Sequence, residues 1–153
     1  MMTNTEPIVL IEDNEDDIVL TRRALDSNKI GNPLVIARDG AEALELLLGP
    51  NSVKPAVILL DLKLPKVDGL SVLKRLREDA RTKLTPIVVL TSSKEEQDIV
   101  AGYTLHANSY IRKPVDFDQF TEAIRQVGLY WLILNEAPPL NEALPTDEAT
   151  RAA

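Results

Sequence analysis

Short apolar runs alternate along the chain with longer segments in which apolar and charged residues recur at helical spacing. The runs predict β-strands, because they are short, rich in β-favouring residues and bounded by loop-forming residues. The predicted strands cover residues 8–11, 34–37, 55–61, 86–90 and 109–111. The segments between and after them predict amphipathic helices over residues 15–28, 40–48, 71–79, 95–105 and 116–135. Five strands that alternate with five helices indicate an α/β protein with a parallel sheet.

This alternation is typical of a doubly wound, flavodoxin-like sandwich of three layers, with right-handed crossovers and strand order 2-1-3-4-5. At 153 residues the chain has the length of one ordinary domain, which we place at residues 7–136. Residues 137–153 contain three prolines and many small or acidic residues. A flexible C-terminal tail is therefore predicted there.

Polar residues stand at the carboxyl ends of four predicted strands. Glu12 and Asp13 follow the first strand, Asp61 ends the third, Thr91 follows the fourth and Lys113 follows the fifth. In a sheet of the predicted order these ends lie at one edge, where α/β proteins place their binding sites. We therefore expect the five side chains to form one site.

The residue types indicate phosphoryl chemistry. Carboxylates that lie close together repel one another, and a hard cation relieves the repulsion, which points to Mg²⁺ with Mn²⁺ as a substitute. Lys113 and Thr91 supply a positive charge and a hydroxyl for phosphoryl oxygens. Asp61 is then the natural nucleophile, and its attack on phosphorus gives an aspartyl phosphate.

Each residue taken alone has a simpler explanation. The segment 12–14 is also typical of a helix N-cap with acids near the positive end of the helix dipole. Asp61 is compatible with capping a loop, Thr91 with helix capping and Lys113 with a solvated surface position. Their occurrence together at successive strand ends favours the functional interpretation.

Four motifs carry a family resemblance. They are Ile11-Glu12-Asp13-Asn14, the segment from Leu60 to Gly69, Leu90-Thr91-Ser92-Ser93 and the segment from Tyr110 to Pro114. Through these motifs the chain resembles a response regulator receiver domain over about residues 7–135. The resemblance implies a phosphoryl group taken from a phosphohistidine of a sensor histidine kinase, in a two-component phosphorelay.

The resemblance also implies roles for single residues. Asp61 is the phosphoacceptor, Asp13 a direct Mg²⁺ ligand, Glu12 a ligand through water, and the main-chain carbonyl of Lys63 completes the metal shell.

The resemblance further implies a switch, in which phosphorylation draws Thr91 toward the phosphate and lets Tyr110 swing inward, and this changes the surface of the fourth helix, fifth strand and fifth helix. The alternative for Tyr110 is an ordinary half-buried strand tyrosine. The bond between Lys113 and Pro114 is expected to be cis.

More narrowly, the segments 12–17, 107–117 and 130–139 resemble stand-alone receivers that serve phytochrome-type histidine kinases of cyanobacteria. The kinase is expected to dock on the first helix, near Asp17 and residues 19–22. His106 is expected at a helix end rather than in a phosphorelay.

The end of the last predicted helix is apolar nearly all round. Its stripe consists of Phe117, Phe120, Ile124, Val127, Trp131 and Leu134, and further apolar residues at 129, 130, 132 and 133 lie off the stripe. We expect a homodimer through the region of the fourth and fifth helices, with a folded-back tail as the alternative cover.

Composition excludes several function classes. The net charge of −7 argues against nucleic-acid binding, and no apolar stretch reaches the 18 residues of a membrane span. With no cysteine and one histidine, neither thiol chemistry nor a histidine-cluster metal site is available. A cytoplasmic location fits this composition.

Two rival functions remain. A phosphatase that forms an aspartyl phosphate usually needs a second aspartate at position 63, which is lysine here. A flavodoxin-like nucleotide binder needs a glycine-rich phosphate loop where this chain has acidic residues.

Overall fold

The protein is described by a computed structural model that covers residues 6–91, 107–112 and 117–127, with the backbone alone for Thr91, Arg112 and Val127. It contains one five-stranded sheet of order β2-β1-β3-β4-β5, in which every neighbouring pair is parallel. The predicted α/β class and strand order are confirmed. Among the described residues, no helix combines the length and apolar character that crossing a membrane requires.

The element boundaries follow the sequence pattern closely. The strands are β1 (Ile8–Ile11), β2 (Leu34–Ala37), β3 (Val57–Asp61), β4 (Ile87–Thr91) and β5 (Ser109–Arg112). The helices are α1 (Glu15–Ser27), α2 (Gly40–Leu48), α3 (Gly69–Glu78) and α4 (Phe117–Val127). Helix α4 is the last of the predicted helices. The helix predicted at 95–105, His106, the residues beyond 127 and the tail at 137–153 lie outside the described residues.

Two of the boundaries that differ from the prediction have clear local reasons. Helix α3 begins at Gly69 rather than at residue 71, because Asp68 caps it: its Oδ1 accepts a hydrogen bond of 2.9 Å from the Ser71 amide. Strand β4 begins at Ile87, since Pro86 has no N–H to donate to the sheet. The Pro86 carbonyl still accepts a hydrogen bond of 2.9 Å from the Ile58 amide.

The sheet has an apolar cluster on each face, which gives the predicted three layers. In β1, Ile8 and Leu10 join the cluster under α1 and α4, whereas Val9 and Ile11 join the cluster under α2 and α3. All residues of β1 and β3 are buried. Both strands are therefore central strands covered on both faces, as their continuous apolar runs predicted.

Arg77 connects the end of α3 with the starts of β4 and β5. Its guanidinium donates to the Asn108 side-chain oxygen at 3.2 Å, and that oxygen also accepts from the Ile87 amide at 2.8 Å. It further donates to three carbonyls, those of Thr82, Lys83 and Thr85. Burial lowers the pKa of Arg77 from its usual value. This arginine fixes the edge of the sheet opposite to the carboxyl ends of the strands.

Candidate metal and phosphoryl site

The register of the sheet brings the acidic residues together. Ile11, the last residue of β1, is paired with Leu60 in β3. The residues that follow them, Glu12 and Asp61, therefore leave the two strands side by side. Asp61 is in turn paired with Leu90, so Thr91 ends β4 one residue further along the same edge.

Three carboxylates form a compact cluster at this edge. Glu12, Asp13 and Asp61 each offer an oxygen, and these oxygens lie within 4.8 Å of one another. Glu12 is fully buried and Asp61 is 5% exposed, whereas Asp13 is exposed to solvent. The cluster is thus open on the side of Asp13 and closed behind Glu12. The predicted meeting of these three residues is found.

Backbone amides donate hydrogen bonds to the two buried carboxylates. Oδ1 of Asp61 accepts from the Lys63 amide at 3.0 Å, and Oε2 of Glu12 accepts from the Asn14 amide at 3.2 Å. The side chain of Asn14 caps α1 by accepting from the Asp17 amide at 3.0 Å. Within the segment 12–14, Asn14 is therefore the helix cap, whereas Glu12 and Asp13 belong to the acidic cluster.

The donor set fits a small hard cation. Ligands on opposite sides of Mg²⁺ stand about 4.2 Å apart, because each metal–oxygen distance is about 2.1 Å. The three carboxylate oxygens lie within 4.8 Å of one another, a limit only slightly above this spacing. Carboxylate oxygens without sulfur or imidazole favour Mg²⁺ or Mn²⁺ over softer metals. Gathering several negative charges in a buried place is costly, and a bound cation offsets that cost.

The other predicted site residues are placed in part. Lys63 lies two residues beyond Asp61 and is exposed to solvent. Thr91 ends β4 opposite Arg112, which is followed by Lys113. The side chain of Thr91, the whole of Lys113 and the bond to Pro114 lie outside the described residues, so their roles stay predictions.

Tyr110 lies in β5, where it is paired with Val89 of β4. It is half-buried and packs against the apolar cluster under α2 and α3. Burial raises the pKa of its phenol above the usual value. One face of the Tyr110 side chain packs on the core and the other faces solvent. Both interpretations of Tyr110, the switch and the ordinary strand tyrosine, predict this geometry.

Sequence reasoning missed the support of the loop that follows Asp61. The start of α2 touches this loop, since the Gly40 amide donates to the Pro65 carbonyl at 3.3 Å. Lys66 in the loop has a positive φ of 69°. The sequence predicted that a helix begins at Gly40, but no local pattern indicates its contact with a loop more than twenty residues away.

The family model of the response regulator receiver domain matches residues 8–125. The chain belongs to this family. The matched span contains the acidic cluster, Thr91, Tyr110 and Lys113.

Curated relatives match over most of both chains. One is the probable methanogenesis regulatory protein FilR2 of Methanothrix harundinacea, which is 37% identical over 134 residues, 86% of each chain. Another is the response regulator Rcp1 of Synechocystis sp., which is 37% identical over 129 residues, 82% of this chain and 88% of Rcp1.

Solved structures agree with this assignment. The bacteriophytochrome response regulator RtBRR has a TM-score of 0.73 at 46% identity, covering 89% of this chain and 86% of its own. The phosphorylated cyanobacterial phytochrome response regulator RcpA has a TM-score of 0.77 at 37% identity, covering 89% and 100%. Rcp1 in its Mn²⁺-bound form has a TM-score of 0.76 at 36% identity, covering 88% and 99%. The predicted resemblance to stand-alone phytochrome response regulators is confirmed.

Compared with the wild type, the Asp13→Asn variant should be more stable without a divalent cation and should gain less stability when the cation is added. In chelator we expect the free energy of unfolding to rise by about 0.5–1 kcal/mol, because one of three like charges is removed and the exposed one is partly screened. With Mg²⁺ the wild type should gain stability by mass action, whereas the variant should gain little. Urea unfolding in both buffers measures this.

The matched control is Asp16→Asn in the first turn of α1, outside the cluster. It should lose a little stability in both buffers, because Asp16 lies at the positive end of the helix dipole. An Asp13→Asn variant that responds to Mg²⁺ as the wild type does would contradict the assignment of Asp13 to the cation site.

Proposed function

We propose that Asp61 accepts a phosphoryl group from a sensor histidine kinase, within the phosphorylation-dependent two-component signalling to which receiver proteins belong. The observation that carries the proposal is the position of Asp61. It is a nearly buried carboxylate at the end of a central strand, with the oxygens of Glu12 and Asp13 within 4.8 Å. Such a group is poorly placed for an ordinary surface role and well placed for a charged ligand.

The transfer is a substitution at phosphorus. An oxygen of the Asp61 carboxylate forms the new P–O bond while the P–N bond of the kinase phosphohistidine breaks, and the electron pair stays on the imidazole nitrogen. Lys113 and Thr91 are assigned to the phosphoryl oxygens, where a positive charge and a hydroxyl stabilise negative charge. The hydrogen bond from the Lys63 amide to Oδ1 of Asp61 orients the carboxylate for this attack.

We assign the acidic cluster to Mg²⁺, with Mn²⁺ as a substitute. When bound, the cation neutralises the carboxylates and the incoming phosphoryl oxygens. Asp13 is assigned as a direct ligand beside Asp61, Glu12 as a ligand through water, and the Lys63 main-chain carbonyl as a further ligand. The solved Mn²⁺-bound form of the relative Rcp1 supports this assignment.

The proposed output is a change of protein contacts rather than the turnover of a substrate. Phosphorylation draws Thr91 toward the phosphate, and Tyr110 moves further into the core. Tyr110 already packs on the apolar cluster under α2 and α3, so a modest rotation is enough. The affected surface includes β5 and α4. The only chemistry proposed for the chain itself is self-catalysed phosphorylation and dephosphorylation at Asp61.

The kinase is proposed to be of the phytochrome type, since two of the most similar solved structures are phytochrome response regulators. Its docking surface is assigned to α1, around Asp17 and residues 19–22. Val19 on this helix is 47% exposed, and among the described residues it is one of two large hydrophobic side chains that are exposed. An apolar residue flanked by charges suits a protein interface.

Several predictions on organisation stay proposals. They are a single receiver domain at residues 7–136 with a flexible tail, a homodimer through the predicted fourth and fifth helices, a cytoplasmic location, and partners that include neither nucleic acid nor membrane.

Of the dimer surface, the structure describes only β5 and α4. Sedimentation at micromolar concentration checks the dimer, and a monomeric mass with and without phosphorylation would exclude it.

Acetyl phosphate with Mg²⁺ tests the acceptor and separates a receiver from a phosphatase. We expect one acid-stable, base-labile phosphoryl group per chain and its loss in Asp61→Asn, because an amide is not a nucleophile toward phosphorus at neutral pH. Asp68→Asn is the matched control, since Asp68 lies in the same loop but caps α3. Repeated turnover of phosphomonoesters would support the phosphatase instead.

Tyr110→Ala tests the switch. Phosphorylation by acetyl phosphate should proceed at a rate near that of the wild type, because Tyr110 is not assigned to the acceptor site. The difference in partner or self-association between the two phosphorylation states should largely disappear. Tyr110→Phe, which keeps the ring, is the control. A Tyr110→Ala variant that keeps the full phosphorylation-dependent difference would leave the residue as an ordinary strand tyrosine.

Val19→Asp tests the docking surface on α1. We expect transfer from a cognate phosphorylated kinase to slow by about 10-fold or more, as a charge in an apolar contact costs over 1.4 kcal/mol. Phosphorylation by acetyl phosphate should be unchanged. Leu84→Asp is the control, since Leu84 is 56% exposed in the loop before β4. Equal slowing in both variants would contradict the assignment.

A further inference from the structure

The loop that follows the proposed acceptor rests on the turn at Arg38 and Asp39 and on Gly40, the first residue of α2. This loop, residues 62–68, joins β3 to α3 and carries the Lys63 carbonyl. At its middle, the Pro65 carbonyl accepts from the Gly40 amide at 3.3 Å. A Cβ atom on Gly40 would stand 1.8 Å from the Val67 carbonyl oxygen and 2.7 Å from the Val67 Cβ. Residue 40 therefore has to be glycine for the loop to lie where it does.

Lys66, on the loop side, also helps to keep the loop against the start of α2. It has a φ of 69°, a conformation that few residues other than glycine and asparagine adopt readily. Its Nζ lies 3.4 Å from Oδ2 of Asp39, the residue that also caps α2 through the Glu42 amide at 2.7 Å. The Glu42 amide, and then the charge of Lys66, keep the pKa of Asp39 below its usual value. The turn is thus tied both to α2 and to the loop.

Both ends of the loop are also fixed beside Asp61. The Lys63 amide donates to Oδ1 of Asp61, and the Gly69 amide donates to the Leu62 carbonyl at 3.0 Å. A Cβ on Gly69 would stand 2.3 Å from the Asp61 carbonyl oxygen. With its ends fixed at Asp61 and its middle fixed at Gly40, the loop has little freedom. A displacement at residues 65–67 is passed on to Lys63.

We propose that Gly40 and Lys66 are positioning residues for the cation site, because the close approach of Gly40 to Val67 and the left-handed backbone of Lys66 hold the Lys63 carbonyl beside Asp13 and Asp61. The inference rests on the proposed function, in which that carbonyl is a ligand. Neither residue is assigned to the cation or to the phosphoryl group. They act through the backbone of the loop, as groups that orient ligands do at other metal sites.

Gly40→Ala is the first test, with Gly31→Ala as its matched control. A Cβ on Gly31 meets nothing within 4 Å, so that variant changes the residue type without a clash. We expect the Mn²⁺ dissociation constant of the unphosphorylated chain to rise by about 10- to 100-fold in Gly40→Ala. The Gly31→Ala value should stay at that of the wild type. Calorimetric titration measures both constants without any phosphoryl transfer.

A second pair keeps the test informative if Gly40→Ala does not fold. Lys66 and Lys29 are the two non-glycine residues with positive φ among those described, at 69° and 57°, and both are exposed. A β-branched residue is strained at either place. Lys66→Val and Lys29→Val should therefore lose similar stability, but only Lys66→Val should lose Mn²⁺ affinity. Lys66→Asn should keep the affinity, because asparagine tolerates this conformation without the lysine charge.

The possible outcomes distinguish the positioning role of Gly40 and Lys66 from the cation site itself. If the wild type binds Mn²⁺ and Lys66→Val binds it as well as Lys29→Val does, the positioning role is wrong and the cation site stands. If Lys66→Asn loses as much affinity as Lys66→Val, the ion pair with Asp39 matters rather than the backbone conformation, which also contradicts the proposal. A wild-type chain that binds no Mn²⁺ would overturn the cation site itself, and the positioning role with it.

Discussion

The parallel pairing of β1 with β3 is the constraint on which the rest of the site depends. Because Ile11 is paired with Leu60, the next residue of each strand is an acid, and the two acids leave the sheet together. A shift of one residue would turn the side chains of a strand to the opposite face. Both strands are buried on both faces, so the apolar core on either side strongly specifies the register. The stability of the sheet is therefore also what gathers the negative charge.

The gathered charge has a direct consequence for function. Two carboxylates with almost no exposure and a third within 4.8 Å are costly to keep together, and positive charge offsets that cost. A cation and a phosphoryl group have complementary charges, so binding of one favours binding of the other. The same edge continues through Thr91 to β5, where Tyr110 sits half-buried. Asp61 in β3 thus lies two strands away from Tyr110, whose side chain contacts the core.

Much of this arrangement was predictable from the sequence, because it depends on patterns that are local in the chain. The runs ending at Ile11 and Asp61 predicted buried strands, and the alternation with helices predicted their order. The contact between Gly40 and Val67 was not predictable, since the two residues belong to different elements and no periodicity links them. The positive φ of Lys66 carried no signal either, because lysine does not favour it. The start of α3 shifted because a side-chain cap, Asp68, decides it rather than the apolar pattern.

Chemical mapping of the phosphoryl group tests the central claim most directly. Borohydride reduces an acyl phosphate to an alcohol, so an aspartate that carried the phosphoryl group becomes homoserine. After phosphorylation with Mg²⁺ and reduction, mass spectrometry of peptides should find homoserine at position 61 and not at 13, 16 or 17. Homoserine at any of those positions, with none at 61, would contradict the account.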